Sequence, residues 1–129
     1  MKVALAMRSE FIQAVSELAA EVWDFHDRWD VHGRLPESPA ERMRVRRPLL
    51  QEELRELDAE LEANDADALA EEATDVAFVA IGHLAALEEL ALDSIRTVVS
   101  KNAAKSHATH FIDDSTGKIT RRNSGANEP

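Results

Sequence analysis

Between Glu52 and Asp75 the chain carries eleven acidic residues and one base, Arg55, and this stretch alone accounts for the net charge of −10. Carboxylates at that density either coat a solvated helix face or gather into a site for cations. Their spacing separates the two. Leu50, Leu54, Leu57 and Leu61 form one apolar stripe, and Leu69, Ala73, Val76, Ala80 and Leu87 form another. At about 100° per residue, Glu53 and Glu56 lie roughly 60° and 120° to one side of the first stripe. Glu72 and Asp75 flank the second stripe on the same angular side by the same amounts, roughly 60° and 120°. When two antiparallel helices face each other through such stripes, equal flanks fall on the same side of the pair. The levels agree too. Glu56 and Glu72 each stand eight residues from Asn64 in the intervening turn, and Glu53 and Asp75 each stand eleven away. Four carboxylates are therefore expected to converge at two adjacent levels.

Like charges held so close repel unless they are protonated or bridged by cations. Hard divalent ions with oxygen ligands meet that need, and Mg²⁺ in particular takes one or two carboxylates while sharing phosphate oxygens with a substrate. A carboxylate–histidine di-iron site needs Glu-x-x-His, and no histidine here has a glutamate three residues before it. Zinc would want more nitrogen ligands. The expected ion is Mg²⁺, with Mn²⁺ as the alternative.

The elements that must position this cluster are helices. In 129 residues there are only four glycines and four prolines, against 44% hydrophobic residues, a balance that favours long helices and a single all-α domain. A first helix is expected from about Ser9 to Trp29, with Phe11, Val15, Leu18, Val22 and Phe25 or His26 on its apolar face. A loop with Gly33 and Pro36 follows. Ser38-Pro39-Ala40-Glu41 reads as a capping box opening a second helix to about Ala63, which Pro48 should kink or divide. Asn64-Asp65 makes the next turn. A third helix is expected to reach about Leu90, and a fourth, capped by Leu92-Asp93, to end near His107. From Val76 to Leu90 the third helix is apolar nearly all round, with Phe78, Ile81 and Ala85 opposite the core stripe, which suggests a subunit interface in a dimer or tetramer. Residues 1–110 would form the domain and 111–129 a polar tail, with a short hairpin around Gly117 between Phe111 and Arg122 and disorder over the last seven residues.

The pattern Glu52-Glu53-Leu54-Arg55-Glu56, followed after fifteen residues by Glu72-Ala73-Thr74-Asp75, resembles the EExxE…ExxD signature of the MazG-like all-α nucleoside triphosphate pyrophosphohydrolases, a superfamily related to the dimeric dUTPases. Phe25-His26-Asp27-Arg28-Trp29 is similar to the aromatic segment ahead of that signature in many members. Asn102-Ala103-Ala104-Lys105 resembles their NxxK, and Asp114 to Arg122 their Gly-Lys-containing tail. Where many relatives have tyrosine this chain has Phe78. The resemblance implies a four-helix MazG-like bundle that hydrolyses a nucleoside triphosphate to the monophosphate and pyrophosphate. It implies Glu53, Glu56, Glu72 and Asp75 as Mg²⁺ ligands, with Glu52 holding a further ion or orienting the attacking water.

Other residues carry weaker signals. Asn102 shares a face with Ile95, Val99 and Ser106, where an apolar residue is expected; a buried amide there would need partners and could meet substrate. Lys101 and Lys105 flank it and could neutralise phosphate oxygens. Trp29 could stack on a base, Trp23 is expected in the core, and His26 is either a hydrogen-bonded core histidine or a substrate contact. Among Arg42, Arg44, Arg46 and Arg47, partner contacts or solvent exposure are expected for any single one. The absence of cysteine excludes thiolate chemistry. The acidity argues against a nucleic-acid polymer as partner, and no apolar run reaches membrane-spanning length. A cytoplasmic location is the expectation. The competing reading is a non-catalytic helical module whose acidic face binds a basic partner.

Overall fold

The computed structural model describes residues 2–123. Among these residues, apart from a two-stranded hairpin, all regular structure is helical: α1 (Lys2–Arg28), α2 (Val31–Arg34), α3 (Pro39–Ala63), α4 (Ala66–Leu87), α5 (Glu89–Ala103), β1 (His110–Ile112) and β2 (Ile119–Arg121). The chain forms two compact units, residues 1–91 and 92–129. The expectation of disorder over the last seven residues falls, except for Asn123, outside the described residues.

Four of the five helices occupy the stretches anticipated from sequence, with shifted ends. Helix α1 starts well before Ser9 because Ala4, Leu5, Ala6, Met7 and Arg8 are all strong helix formers. It stops at Arg28, where Asp30 enters the left-handed region at φ 50°, a conformation that aspartate tolerates better than most residues. The expected loop around Gly33 is instead the single turn α2, ended by extended Leu35 ahead of Pro36.

Helix α3 begins as its sequence directs. Ser38 Oγ accepts from the Glu41 amide at 3.2 Å and Pro39 stands at the first position. The reciprocal half of a capping box is not made; Glu41 pairs with Arg44 instead. Pro48 does not divide the helix, which runs continuously to Ala63. Asn64 then turns left-handed at φ 54° and its amide donates to Glu60 O at 3.1 Å, while the Asp65 carboxylate accepts from the amides of Asp67 and Ala68. So tight a connection makes α3 and α4 antiparallel neighbours, and α4 packs along both α3 and α1.

At its far end α4 stops at Leu87, short of the expected Leu90. Arg42 is the cause. Its guanidinium donates to Ala86 O at 2.9 Å and Pro36 O at 2.6 Å and pairs with Glu88. It thereby satisfies a carbonyl the helix end would orphan and holds Glu88 at φ 57°. Helix α5 therefore starts at Glu89 rather than at Leu92-Asp93, and it ends at Ala103, short of His107.

Between α1, α3 and α4 the buried centre is small. Val22 and Ala86 are fully buried, and Phe25 meets Phe78 edge-on at 5.5 Å. The notable occupants are polar: His26 and Arg46 are 3% and 6% exposed. Arg46 donates from Nε to His83 Nδ1 at 3.2 Å, and no carboxylate pairs with it among the described residues. Gly82 makes room for it, since a Cβ there would stand 2.5 Å from Arg46 Nη2 and 3.0 Å from His26 Nε2. Trp23, expected in the core, is 51% exposed, its ring 4.8 Å from that of His32 on the short α2.

In the second unit, β1 and β2 pair antiparallel with Phe111 opposite Thr120, one residue earlier at its start than the span anticipated for a hairpin. Asp113 closes the turn by accepting from Ser115, and Gly117 supplies φ 73°.

Burial first, then the charges of Arg46, His32 and His83, push His26 down to about 4. His83 is lowered by burial and Arg46 as well. Both rings are thus neutral in the folded chain at pH values where the unfolded chain protonates them, near 6.5. Their contribution to stability is full above that value and is lost as pH falls from about 6.5 towards 4. Thermal melts across this window should show a declining Tm, and His26→Gln should flatten the decline. An equal slope in the variant would place the titration elsewhere.

Candidate metal centre

The α3–α4 hairpin sets the acidic cluster. With α3 and α4 joined through Asn64-Asp65, Glu53, Glu56 and Glu72 each offer a carboxylate oxygen within 4.8 Å of the others. Glu53 and Glu72 are half-buried and Glu56 is exposed. The Oε2 atoms of Glu53 and Glu72 are shielded from solvent and have no hydrogen-bond partner among the described residues. None of the three makes an ion pair with a lysine or arginine among those residues.

The energetic consequence is a raised proton affinity. Burial pushes the Glu53 carboxyl up, reinforced by Glu56 and Asp75, by a hydrogen bond shared with Glu56, and by Glu72. Glu72 is likewise raised, by burial first and then by Glu56, Asp75, Glu60 and Glu71. Two shielded, unpartnered oxygens beside further carboxylates form an all-oxygen donor set with uncompensated negative charge. That set fits a hard divalent cation such as Mg²⁺ or Mn²⁺, and it contains no nitrogen or sulfur that would favour zinc.

Asp75 stands close enough to raise both Glu53 and Glu72 but is outside the 4.8 Å group. Glu52 is exposed and also outside it. Of the residues expected to meet substrate, Trp29 is 64% exposed at the end of α1, its ring 6.4 Å from that of Phe25. His26 is buried against Arg46 and Gly82, with its Nδ1 unpartnered.

Asn102, Lys101 and Lys105 belong to the second unit. The expected burial of Asn102 is not observed. It is exposed, and its Nδ2 donates to Val98 O one turn back at 3.0 Å. The apolar face it shares is uncovered, with Val99 62% exposed, so the amide bonds to its own helix instead. Asn102 and Lys105 line a cleft with His110 and Lys118 of the hairpin.

Two sets of polar residues were not singled out by sequence. One is the Arg46–His83–Gly82 centre; its signal was Arg46 standing four residues before Leu50, in line with the apolar stripe. The other is His110, Lys118 and Arg121 around the second unit's clefts, whose alternation along two short strands carries little signal.

Because repulsion opposes the native arrangement, Glu53→Gln should raise the Tm of metal-free protein by about a few degrees. Millimolar Mg²⁺ or Mn²⁺ should raise the Tm of the parent chain and leave a Glu53→Gln/Glu72→Gln double variant nearly unmoved. Equal responses in both proteins would remove the cluster as a cation site. No known protein family, curated protein or solved structure matches the chain.

Proposed function

We propose that this chain is a Mg²⁺-dependent nucleoside triphosphate pyrophosphohydrolase of the MazG-like kind, which converts a nucleoside or deoxynucleoside triphosphate to the monophosphate and pyrophosphate. The observation that carries the reading is the convergence of Glu53, Glu56 and Glu72, with two orphaned oxygens, at the positions where the EExxE…ExxD pattern falls. In this reading Glu53, Glu56, Glu72 and Asp75 hold the metal, Mn²⁺ being able to replace Mg²⁺. The ion would supply charge to screen the triphosphate and to ease ionisation of water. Glu52 and Glu53 orient the attacking water and take up its proton. The water oxygen bonds to the α-phosphorus, the bond from that phosphorus to the bridging oxygen breaks, and pyrophosphate leaves. In the second unit Asn102, Lys101 and Lys105 would contact phosphates; in the first, Trp29 would stack on the base and His26 would be a substrate contact. The role is control or cleansing of the cytoplasmic nucleotide pool.

A purely binding role for the acidic face is the weaker reading. A surface that docks a basic partner would spread its carboxylates over solvent, with no reason to shield two unpartnered oxygens.

Assembly is part of the proposal. Leu54 and Leu61, central to the stripe on α3, are 45% and 59% exposed in the single chain. No helix among the described residues is long and apolar enough to cross a membrane. A homodimer or tetramer would cover this surface.

Hydrolysis in ¹⁸O-water should label the monophosphate and leave pyrophosphate unlabelled. It should stop with EDTA, resume with Mg²⁺ or Mn²⁺, and be abolished in Glu53→Gln and Asp75→Asn. Free phosphate as primary product, or turnover that survives EDTA, overturns the assignment. Light scattering should give a mass that is a multiple of 14.3 kDa, and Ile81→Glu should dissociate the assembly or unfold the chain, because it buries an unpaired charge. A monomer at micromolar concentration removes the assembly.

A further inference from the structure

Three residues other than glycine have positive φ among the described residues: Asp30, Asn64 and Glu88. The first two are ordinary. Asp30 and Asn64 sit in the left-handed helical basin, with ψ 44° and 39°, which short polar side chains tolerate. Glu88 combines φ 57° with ψ −125°, the first central position of a type II′ turn, where glycine is the usual occupant. A side chain there strains the backbone, and strain of this kind persists only where the surroundings enforce it.

Nothing in the local sequence asks for a break. Ala85-Ala86-Leu87-Glu88-Glu89-Leu90-Ala91 consists of strong helix formers, with no glycine, proline or asparagine. Left to itself this segment would carry α4 on through Leu90, where its periodicity places the helix end. In a helix so continued, the amides of Glu89, Leu90 and Ala91 would donate to the carbonyls of Ala85, Ala86 and Leu87. In the structure the Glu88 amide takes the Ala85 carbonyl at 3.1 Å, and Ala91 donates to Glu88 O at 3.1 Å. The Glu89 and Leu90 amides have no backbone acceptor among the described residues. The Ala86 carbonyl, which Leu90 would otherwise reach, accepts from Arg42 Nη1 at 2.9 Å. One acceptor therefore has two competing donors, a guanidinium from α3 and an amide of its own helix.

Arg42 holds that carbonyl because it is anchored elsewhere as well. Its side chain is 18% exposed. Its Nε donates to Pro36 O at 2.6 Å, and Nη1 also meets the Glu88 carboxylate. Glu37, Pro39, Leu87, Glu89 and Leu90 line an open cleft of about 320 Å³ beside it, so the segment has room to rewind.

We propose that the end of α4 is a two-state latch. With Arg42 on the Ala86 carbonyl it is bent at Glu88; with Arg42 withdrawn it winds on as helix through Leu90. The bend is the strained state, held by a side chain more than forty residues away, and the released state is the one the local sequence prefers. The latch needs neither a metal nor a substrate, so it stands apart from the pyrophosphohydrolase reading.

Backbone chemical shifts and amide exchange of the full chain distinguish the two states residue by residue. In Arg42→Ala the Glu88 Cα shift should become helical, and the Glu89 and Leu90 amides should exchange about tenfold more slowly than in the parent. Glu88→Gln removes the ion pair, keeps the other Arg42 bonds and should lie between the two. Adding Glu88→Gly to Arg42→Ala should restore the bend, because glycine is unstrained there and weakens a helix. If Arg42 were only a structural tie, its loss would fray the segment, with coil shifts and faster exchange from Leu87 to Leu90. That result overturns the latch, as does a parental Glu88 shift in both Arg42→Ala and Glu88→Gln. Should Arg42→Ala not fold, Glu88→Gln decides: a Glu88 shift towards helix upholds the latch, and a parental or coil shift overturns it.

Discussion

Three carboxylates whose oxygens come within 4.8 Å of each other, two of them shielded from water, repel, and α3 and α4 must be held together against that repulsion. Their short connection does part of the work. Asn64 and Asp65 satisfy amides and carbonyls at both facing helix ends, so the turn is fixed without help from the acidic faces. Arg42 works at the opposite end, tying the start of α3 to the carbonyl of Ala86 and to Glu88. Clamped at both ends, the pair has little freedom to splay, and the charge is concentrated instead of dispersed. A divalent cation bound between the helices would turn the same geometry from a cost into a source of stability.

The buried Arg46 has the complementary problem. A guanidinium in the interior is expensive unless its donors are satisfied, and here it faces an imidazole in place of a carboxylate. Neutral His26 and His83 are what make this tolerable, since protonating either would add a second positive charge beside the first. Gly82 allows the approach. Arg46 and Glu53 are seven residues apart on α3, two turns along one face, so the buried positive charge lies on the same side of the helix as the acidic cluster.

Much of this was legible in the sequence, for a physical reason. Helical periodicity is local, so the stripe from Leu50 to Leu61 and the matching counts from Asn64 predicted that Glu53, Glu56 and Glu72 would meet. Asp75 is less closely engaged than its equal count of eleven residues implied, since counting assumes straight, parallel axes, and real helices cross at an angle. Helix ends were the weaker part wherever a distant side chain set them. Leu87 ends α4 because Arg42, more than forty residues earlier, stabilises a backbone conformation at Glu88 that no local preference favours. Arg46 stands in line with the leucine stripe, but periodicity alone does not separate a buried arginine from one whose head reaches solvent.

Asn102 bears on how the chain meets its surroundings. Its burial was expected from apolar neighbours, and it stands exposed where Ile95 and Val99 are exposed as well. Periodicity reports that a face is apolar; it does not report which chain covers it. Full burial of a leucine or valine contributes about 1.5–3 kcal/mol, and Leu54, Leu61 and Val99 leave about half of that unrealised in a single copy. Repulsion among the carboxylates and confinement of Arg46 both draw on the stability of the helical unit. In the proposed assembly a second copy over Leu54 would also approach Glu53, the residue before it on α3. Desolvation raises the proton affinity of Glu53 further, and it strengthens the attraction of the same group for a divalent ion. In the proposed assembly, subunit contact and cation affinity are two consequences of one buried helix face.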